Sequence, residues 1–192
     1  MSYQTYTTEA LVCGTFNRNT ADRSYLMFTK EAGMLYAEAR SVREERSRQR
    51  MALQDFSLVR VSLIKGKASW KIGSIEAIKN FFMLAEDKAA RGSVVSLTRF
   101  LRRFYGTQEA APALFDYMVS ALERTAGDVK EREFVEKVIQ AHFFLALGYV
   151  DEKKLPAFVV SGSLKDIELS YSEDHLQHLS TVIEKAVATS HL

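Results

Sequence analysis

The chain has 192 residues, 47% of them hydrophobic and 26% charged, an ordinary composition for a globular protein with one or two cores. No apolar run reaches the roughly 18 residues of a membrane span, the first residues do not form a secretory signal, and the single cysteine excludes an internal disulfide and a multi-cysteine zinc site. We therefore expect a cytoplasmic protein. Residues 1–80 carry 13 basic and 8 acidic side chains, and residues 81–192 carry 13 and 16, so the basic first part favours an anionic partner.

The first 75 residues contain five short segments that alternate in polarity with period two and are separated by turns. This pattern is typical of half-buried antiparallel strands. Five such strands suit a small closed barrel, which has no exposed edge strand. The pattern fits an OB-type barrel and an SH3-like barrel equally. The predicted strands cover residues 5–12, 23–29, 34–40, 57–65 and 69–75.

From about residue 75 the apolar period becomes helical. We predict helices over residues 78–85, 94–104, 112–127, 130–147 and 173–189, with Ser93 and Ser172 as N-caps. Residues 158–160 and 167–169 are candidates for a short strand pair. The predicted fold is therefore α+β, with a five-stranded antiparallel barrel in a domain of residues 1–77 and a helical domain of residues 78–192.

Residues 40–50 form the most basic segment of the chain, with five arginines against two glutamates. Apart from Val42, no apolar residue there has a partner at strand or helix spacing, which predicts an exposed loop. Guanidinium groups match phosphate oxygens, so the segment favours nucleic-acid binding; the alternative is a solvated polar loop. The arginines are Arg40, Arg43, Arg46, Arg48 and Arg50.

The outward face of the predicted strands is a second candidate site. Aromatic rings with cations beside them would form a stacking platform of the kind that single-strand binders use, and Trp70 is a further candidate ring. The alternative is ordinary sheet surface, with Trp70 partly in the core. No sequence-reading motif is present, so we expect binding that tolerates any sequence. The candidates are Tyr25, Tyr36, Arg40, Arg60, Lys65, Lys67 and Lys71.

The sequence offers little for catalysis or for a cofactor. It has no glycine-rich phosphate loop. Cys13, in an early strand, favours a buried structural thiol, and His142, on an apolar helix face, favours a core histidine. His175 and His178 are three residues apart without a third ligand nearby, so we expect no metal site. Asp22 is an isolated acid without an obvious catalytic role.

Several short motifs follow one another in the order and spacing of a known family. They are Thr-Glu-Ala-Leu-Val at 8–12, Asp-Arg at 22–23, Leu-Met-Phe-Thr-Lys-Glu-Ala-Gly at 26–33, Ala-Arg-Ser-Val-Arg at 39–43 with Ser-Arg at 47–48, Gln-Asp-Phe at 54–56, Pro-Ala-Leu-Phe at 112–115, and residues 140–148. Together they resemble the RecO family of bacterial recombination mediators over about residues 1–150. The chain departs from the family's usual pattern in three ways: it lacks a four-cysteine zinc site after residue 148, it is short, and it has Ala-Arg-Ser where Lys-Gly is usual.

The resemblance implies an OB-fold DNA-binding domain followed by a helical domain, without enzymatic activity. It implies binding of single- and double-stranded DNA, strand annealing, and recombinase loading with RecR on strands coated by single-strand-binding protein. Two alternatives are an interaction module of a repair complex with weak or no DNA binding, and an enzyme of unrecognised type.

The resemblance also implies that the acidic C-terminal tail of single-strand-binding protein docks on the helical domain. A helix with interleaved cations and aromatic rings is a candidate clasp for such a tail. The alternative is a helix with one apolar and one basic face. The candidate residues are Arg99, Phe100, Arg102, Arg103 and Phe104.

Overall fold

The computed structural model describes residues 5–44, 47, 49–66 and 69–190. It divides into two compact units, Met1–Leu84 with Tyr105–Val119, and Ala85–Phe104 with Ser120–Leu192. The first unit holds all the described strands, and the fold class is α+β. The compact units differ from the predicted domains in that residues 78–84 and 105–119 belong with the strands. The functional boundary at residues 77 and 78 stays a prediction.

Five strands close into a barrel in the order β1-β2-β3-β5-β4. Four neighbouring pairs are antiparallel, whereas β3 and β5 are parallel, with Ala37 opposite Trp70 and Glu38 opposite Lys71. The prediction of a wholly antiparallel barrel is therefore wrong at this pair. Strands of an odd number cannot alternate in direction around a closed ring, so one pair must be parallel. The strands are β1 Thr5–Asn17, β2 Arg23–Thr29, β3 Gly33–Ala39, β4 Ser57–Lys65 and β5 Trp70–Asn80.

Strand β1 is longer than predicted because it pairs with two neighbours. Its first half pairs with β4 and its second half with β2, and the register shifts between Val12 and Gly14. Such a bulge bends a strand, which lets β1 serve both sides of the barrel. The barrel interior is apolar, with Trp70 and Ile75 packed partly against it. The interior residues are Ala10, Val12, Tyr25, Met27, Leu35, Ala37, Ala39, Val42, Leu53, Val59, Val61, Leu63 and Ile72.

Residues 105–119 cover the outer face of β2. The Phe28 ring lies 4.8 Å from the Tyr105 ring and 5.4 Å from the Phe115 ring, between centroids. The Met34 N–H donates to the Thr107 carbonyl at 2.9 Å. Gly33 has a positive φ of 66°, and a Cβ there would lie 2.3 Å from the Glu109 carbonyl oxygen. This part of the chain can pack so closely on the β2–β3 turn only because residue 33 is glycine.

The helix predicted over residues 78–85 begins only at Phe81. Strand β5 continues to Asn80, and a short helix, α2, covers Phe81–Leu84. The Asn80 side chain explains the change, since its Nδ2 donates to Ser57 Oγ at 2.8 Å and its Oδ1 accepts from the Met83 N–H at 3.0 Å. Pairing with β4 therefore overrides the local helical pattern. Between β3 and β4 lies one further short helix, α1, Gln49–Ala52.

The second unit is helical. Ser172 caps the last helix, as predicted, by accepting from the His175 N–H at 3.1 Å. Ser93 lies inside a helix, and Asp87 caps it instead, accepting from the Ala90 N–H at 2.7 Å. The predicted strand pair at 158–160 and 167–169 is wrong: both segments are helical turns, of which the second is Ile167–Ser170. The remaining helices are α3 Lys88–Phe104, α4 Pro112–Ala126, α5 Arg132–Ala146, α6 Ala157–Val160 and α7 Glu173–Thr189, with a short 3-10 helix at Glu152–Lys154.

Candidate nucleic-acid interface

The basic segment after β3 forms a turn over residues 40–44, which we call the arginine turn, and then helix α1. Arg40, Arg43 and Arg50 have exposed side chains, whereas Val42 is buried in the barrel core. Arg46 and Arg48 lie outside the described residues, as does Lys67 of the predicted β4–β5 turn. Val42 thus anchors the described part of the segment to the barrel, while the three arginine side chains remain exposed to solvent.

Hydrogen bonds fix the arginine turn to the β1–β2 loop, residues 18–22. The Ser41 N–H donates to Asp22 Oδ1 at 2.9 Å, and the Arg43 N–H donates to the Ala21 carbonyl at 3.1 Å. Arg43 Nη1 donates to the Asn19 carbonyl at 3.0 Å, and Asn19 Nδ2 donates to Asp22 Oδ2 at 2.9 Å. The two loops therefore form one unit, and they bring Arg43 to the side of the barrel that carries the β1–β2 loop.

The Asp22 carboxylate is the centre of this arrangement. The Asn19 amide and the Ser41 N–H hold the pKa of Asp22 below its usual value of 3.8, and the Arg40 and Arg18 charges lower it further. Asp22 is therefore ionised at neutral pH. Its signal in the sequence is the Asp-Arg motif at 22–23, but the role as a loop anchor depends on a contact with residue 41 that no local pattern reveals.

One exposed aromatic pair lies on the outer face next to this loop. The Phe16 and Tyr36 rings are 5.7 Å apart with planes at 61°, and both are exposed. Tyr36 is a predicted site residue, and the structure places it outward. Phe16 escapes the sequence prediction because it lies beyond the strand end predicted at residue 12.

The structure corrects the predicted position of Tyr25. The sequence predicts it on the outward platform with Tyr36, but it is fully buried in the barrel interior, where burial raises the pKa of its phenol. The reason is that residues 105–119 also cover the other face of β2, where Phe28 packs against Tyr105 and Phe115. When both faces of a strand are covered, alternation does not tell the inside from the outside. Tyr25 cannot contact a ligand on the surface.

A second aromatic pair, of which Tyr6 is exposed, lies at the β4–β5 hairpin. The Tyr6 and Trp70 rings are 5.6 Å apart with planes at 74°, and Lys65 Nζ lies 5.5 Å from the Trp70 ring centroid. Trp70 is half-buried against the interior residues, so it has one covered side and one open side. Lys71, also half-buried, is the partner of Glu38 across the parallel pair. The structure thus brings Lys65 and Trp70 together as the sequence suggested.

Arg60 does not join these aromatic residues. Its Nη2 lies 3.4 Å from Glu9 and its Nη1 lies 3.5 Å from Glu76, on the neighbouring strands β1 and β5. Tyr36, in contrast, has Leu26 as its strand neighbour. Two carboxylates compensate the Arg60 charge, so the predicted platform of Arg60 with Tyr36 is not formed.

The predicted partner site lies on α3, in the second unit. Arg99, Arg102 and Arg103 are exposed. The Phe100 ring packs 5.1 Å from Phe144, and Phe104, which is buried, packs 4.9 Å from Phe144. The prediction that Phe104 clasps a partner is therefore wrong, because helical spacing turns both rings toward α5. What α3 presents is a mainly basic face, on which Phe100 is half-buried and the Arg103 guanidinium carbon lies 4.9 Å from the Phe104 ring centroid.

Within the described part of the chain, no group of three His, Cys, Asp or Glu side chains is placed to hold a metal ion. His175 Nδ1 donates to the Ser170 carbonyl at 2.9 Å and His178 Nε2 to the Lys154 carbonyl at 2.8 Å, so the two rings serve different backbone groups. His142 Nδ1 likewise donates to the Val159 carbonyl at 2.8 Å.

Among the residues with a described structure, none of the helices has the length and apolar character needed to cross a membrane.

Comparison with known proteins adds to this geometry. Residues 1–81 match the family described as Recombination protein O N terminal. The chain is similar to the DNA repair protein RecO of Dehalococcoides mccartyi, with 24% identity over 147 residues, which cover 77% of this chain and 58% of that protein. It is also similar to the DNA repair protein RecO of Desulforudis audaxviator, with 28% identity over 123 residues, 64% of this chain and 49% of that protein. The chain thus spans about half the length of these relatives.

Proposed function

Since the chain belongs to the RecO family of DNA repair proteins, we propose that it acts as a non-enzymatic, cytoplasmic recombination mediator. In this proposal it binds single- and double-stranded DNA without sequence specificity and promotes annealing. With RecR, it loads the recombinase on strands coated by single-strand-binding protein. The RecR partnership is supported by the family resemblance alone, whereas DNA binding also has support in the first unit.

We infer that the barrel is of the OB type. The strand order β1-β2-β3-β5-β4 and the sharing of β1 between β2 and β4 support this inference. OB folds bind oligonucleotides on the β2–β3 face and with the β1–β2 and β4–β5 loops. In this chain those regions carry Tyr36, the β1–β2 loop with Arg18, and the hairpin with Lys65.

The observation that carries the DNA-binding proposal is the joining of the arginine turn to the β1–β2 loop. It places Arg40 and Arg43 in one surface with Arg18 and the exposed Phe16–Tyr36 pair. Arginine forks bind phosphate oxygens, and contacts to the backbone read no sequence. Such a surface suits any strand, which is what a mediator requires.

Fluorescence anisotropy with labelled oligothymidylate tests this proposal. Wild-type protein should bind, and its affinity should fall steeply with salt, because each neutralised phosphate releases counterions. Replacing Arg40, Arg43 and Arg50 together by alanine should weaken binding and reduce the slope of log K against log salt by about 2 for a single strand.

A matched control removes three exposed arginines from the second unit, Arg99, Arg102 and Arg103. This control should leave DNA binding close to that of the wild type. Absence of salt-dependent binding by wild type would overturn the proposal and favour the alternative, an interaction module of a repair complex. Equal losses in both triple variants would place the DNA elsewhere.

A second proposed function is docking of the acidic tail of single-strand-binding protein on α3. The exposed Arg99, Arg102 and Arg103 support it, since three cations on one helix complement an acidic peptide. A labelled acidic tail peptide should bind wild type and the barrel triple variant but not the α3 triple variant. Unchanged binding by the α3 variant would exclude this face.

A further inference from the structure

A groove of about 400 Å³ lies on the helical unit, beside α7. Residues from the segment 149–154, which follows α5, form one wall, and residues from 178–189 of α7 form the other. The groove shares no residue with the arginine turn, the barrel or the basic face of α3. It is therefore a different site from the surfaces proposed above to bind DNA and an acidic peptide.

Contacts with the helices hold both walls of the groove in place. His178 Nε2, on α7, donates to the Lys154 carbonyl at 2.8 Å and so joins one wall to the other. The Tyr149 ring meets the Phe144 ring of α5 edge to face, with 5.8 Å between centroids. The groove is thus part of the folded unit and is open before a ligand arrives, as small-molecule sites usually are.

The floor of the groove is apolar. Val150 and Ala186 are buried and Val182 is half-buried. Thr181 Oγ1 and Thr189 Oγ1 each donate to the carbonyl four residues earlier in α7, at 3.0 Å, so their hydroxyl hydrogens are already used within the helix. A polar ligand group on this floor would lose water without gaining a hydrogen bond, which selects a ligand with an apolar body.

Two ammonium groups lie at the rim of the groove. Lys154 and Lys185 are exposed, and among the residues that the structure describes neither forms an ion pair. Glu184 lies on the other side of α7 from Val182, because residues two apart in a helix are separated by about 200° around its axis. Among the described residues that line the groove, none is acidic. The rim therefore attracts an anionic group.

The dimensions of the groove select a single unbranched chain. From His178 to Thr189 the helix advances about 16 Å, so a volume of about 400 Å³ gives a mean cross-section of about 25 Å². A helix is about 10 Å wide and an extended strand needs about 5 Å by 10 Å, so neither fits inside. Since a cavity of about 150 Å³ accommodates benzene, the groove accommodates roughly 15 non-hydrogen atoms.

From these properties we propose that the groove binds an unbranched fatty acid anion of about ten to fourteen carbons. The hydrocarbon chain lies on the floor formed by Val150, Val182 and Ala186. The carboxylate lies at the rim, where the ammonium groups of Lys154 and Lys185 bind it. The helical unit thus has a small-molecule site in addition to its proposed role in binding a peptide.

Isothermal titration calorimetry of the full chain with decanoate tests this proposal. Decanoate should bind. Hexanoate, which has four fewer methylene groups, should bind about tenfold or more weakly, because each buried methylene contributes to affinity. Decanol, which has the same chain length without the charge, should bind about fivefold or more weakly, because it forms no ion pair with the lysines.

Variants at the rim test the two lysines. Replacing Lys154 and Lys185 together by glutamine should weaken decanoate binding by about fivefold or more and leave decanol binding unchanged. Replacing Lys153 and Lys165 together by glutamine is the matched control, since both are exposed in the same unit and neither lines the groove. The control should bind decanoate as the wild type does, and thermal unfolding verifies the fold of both variants.

Amide NMR of the wild-type chain locates the ligand without any variant. Decanoate should move signals of residues 149–154 and 178–189. Absence of decanoate binding at about 1 mM, equal affinities for decanoate and decanol, or shifts confined to other residues would each overturn the proposal. Shifts of the groove signals by an acidic tail peptide but not by decanoate would also overturn it and assign the groove to a peptide. None of these outcomes affects the DNA-binding proposal, which oligothymidylate tests separately.

Discussion

Asp22 shows how one side chain joins two loops of the candidate interface. Its carboxylate accepts from the Asn19 amide and from the Ser41 N–H, both at 2.9 Å. Ser41 has a positive φ of 50°, a conformation that non-glycine residues adopt only where the surroundings hold it. The Asp22 contact provides that support, and the position of Arg43 depends on it.

We predict that Asp22→Ala removes a contribution to stability that depends on pH. Hydrogen bonds hold the folded-state pKa of Asp22 below 3.8, so the contribution is present above that pH and is lost as pH falls through the lowered pKa. The difference in thermal midpoint between wild type and variant should thus be larger at neutral pH than at about one unit below the usual Asp pKa. A difference that is equal at both pH values would contradict the assignment.

Gly33 offers a second prediction at this scale. Gly33→Ala should destabilise the protein by about 2 kcal/mol or more, because the residue has a positive φ and a Cβ would collide with the Glu109 and Thr107 carbonyls. Gly92→Ala is the matched control: Gly92 lies in α3, and a Cβ there would meet no atom within 4 Å, so alanine should stabilise by about 0.5–1 kcal/mol. Urea unfolding measures both. A neutral Gly33→Ala would mean that residues 105–111 are not held against β3.

At the scale of elements, helix α3 has a buried face that stabilises the helical unit and an exposed basic face proposed to bind a partner. Phe104→Ala should cost about 3–5 kcal/mol, because the ring is buried against Phe144. Arg99→Ala, on the exposed face, should change stability by less than about 0.5 kcal/mol. Chemical denaturation distinguishes the two variants. Similar costs for both would show that Phe104 is not part of the helical core.

The elements also show where sequence patterns stop being informative. Strand β4 and helix α7 are predictable, because period-two alternation and the Ser172 cap are local signals. The ends of β1 and β5 are not, since β1 continues past its bulge by pairing with β2 and β5 continues by pairing with β4, and the alternation within each strand does not show where such pairing stops. Asp87 rather than Ser93 caps α3, because the helix begins at Lys88, ahead of the apolar stripe from which its predicted start at residue 94 was inferred.

Of the candidate interface, the cations are easier to predict from sequence than the rings. Arg40, Arg43 and Lys65 are exposed as their polarity indicates. Tyr25 is misplaced because whether a strand face is open depends on what covers it, and the cover of β2 comes from residues 105–119, whereas Phe16 is missed because it lies beyond the predicted end of β1. No pattern within a strand carries that information.

At the scale of the whole molecule, the two units have different proposed roles. The barrel unit carries the cations and exposed rings proposed to bind a strand, and the helical unit carries a basic face proposed to bind an acidic peptide. Because the chain spans about half the length of the relatives compared, the activities of the full-length relatives enter here as proposals.

Ultraviolet crosslinking of oligothymidylate to the full chain, followed by peptide mapping, tests most directly whether the barrel unit binds a single strand. We predict crosslinks in the first unit, at peptides that contain Phe16 or Tyr36, and their loss at high salt, because phosphate contacts hold the strand in place. Crosslinks confined to residues 85–104 and 120–190, or crosslinking that salt does not reduce, would contradict this prediction.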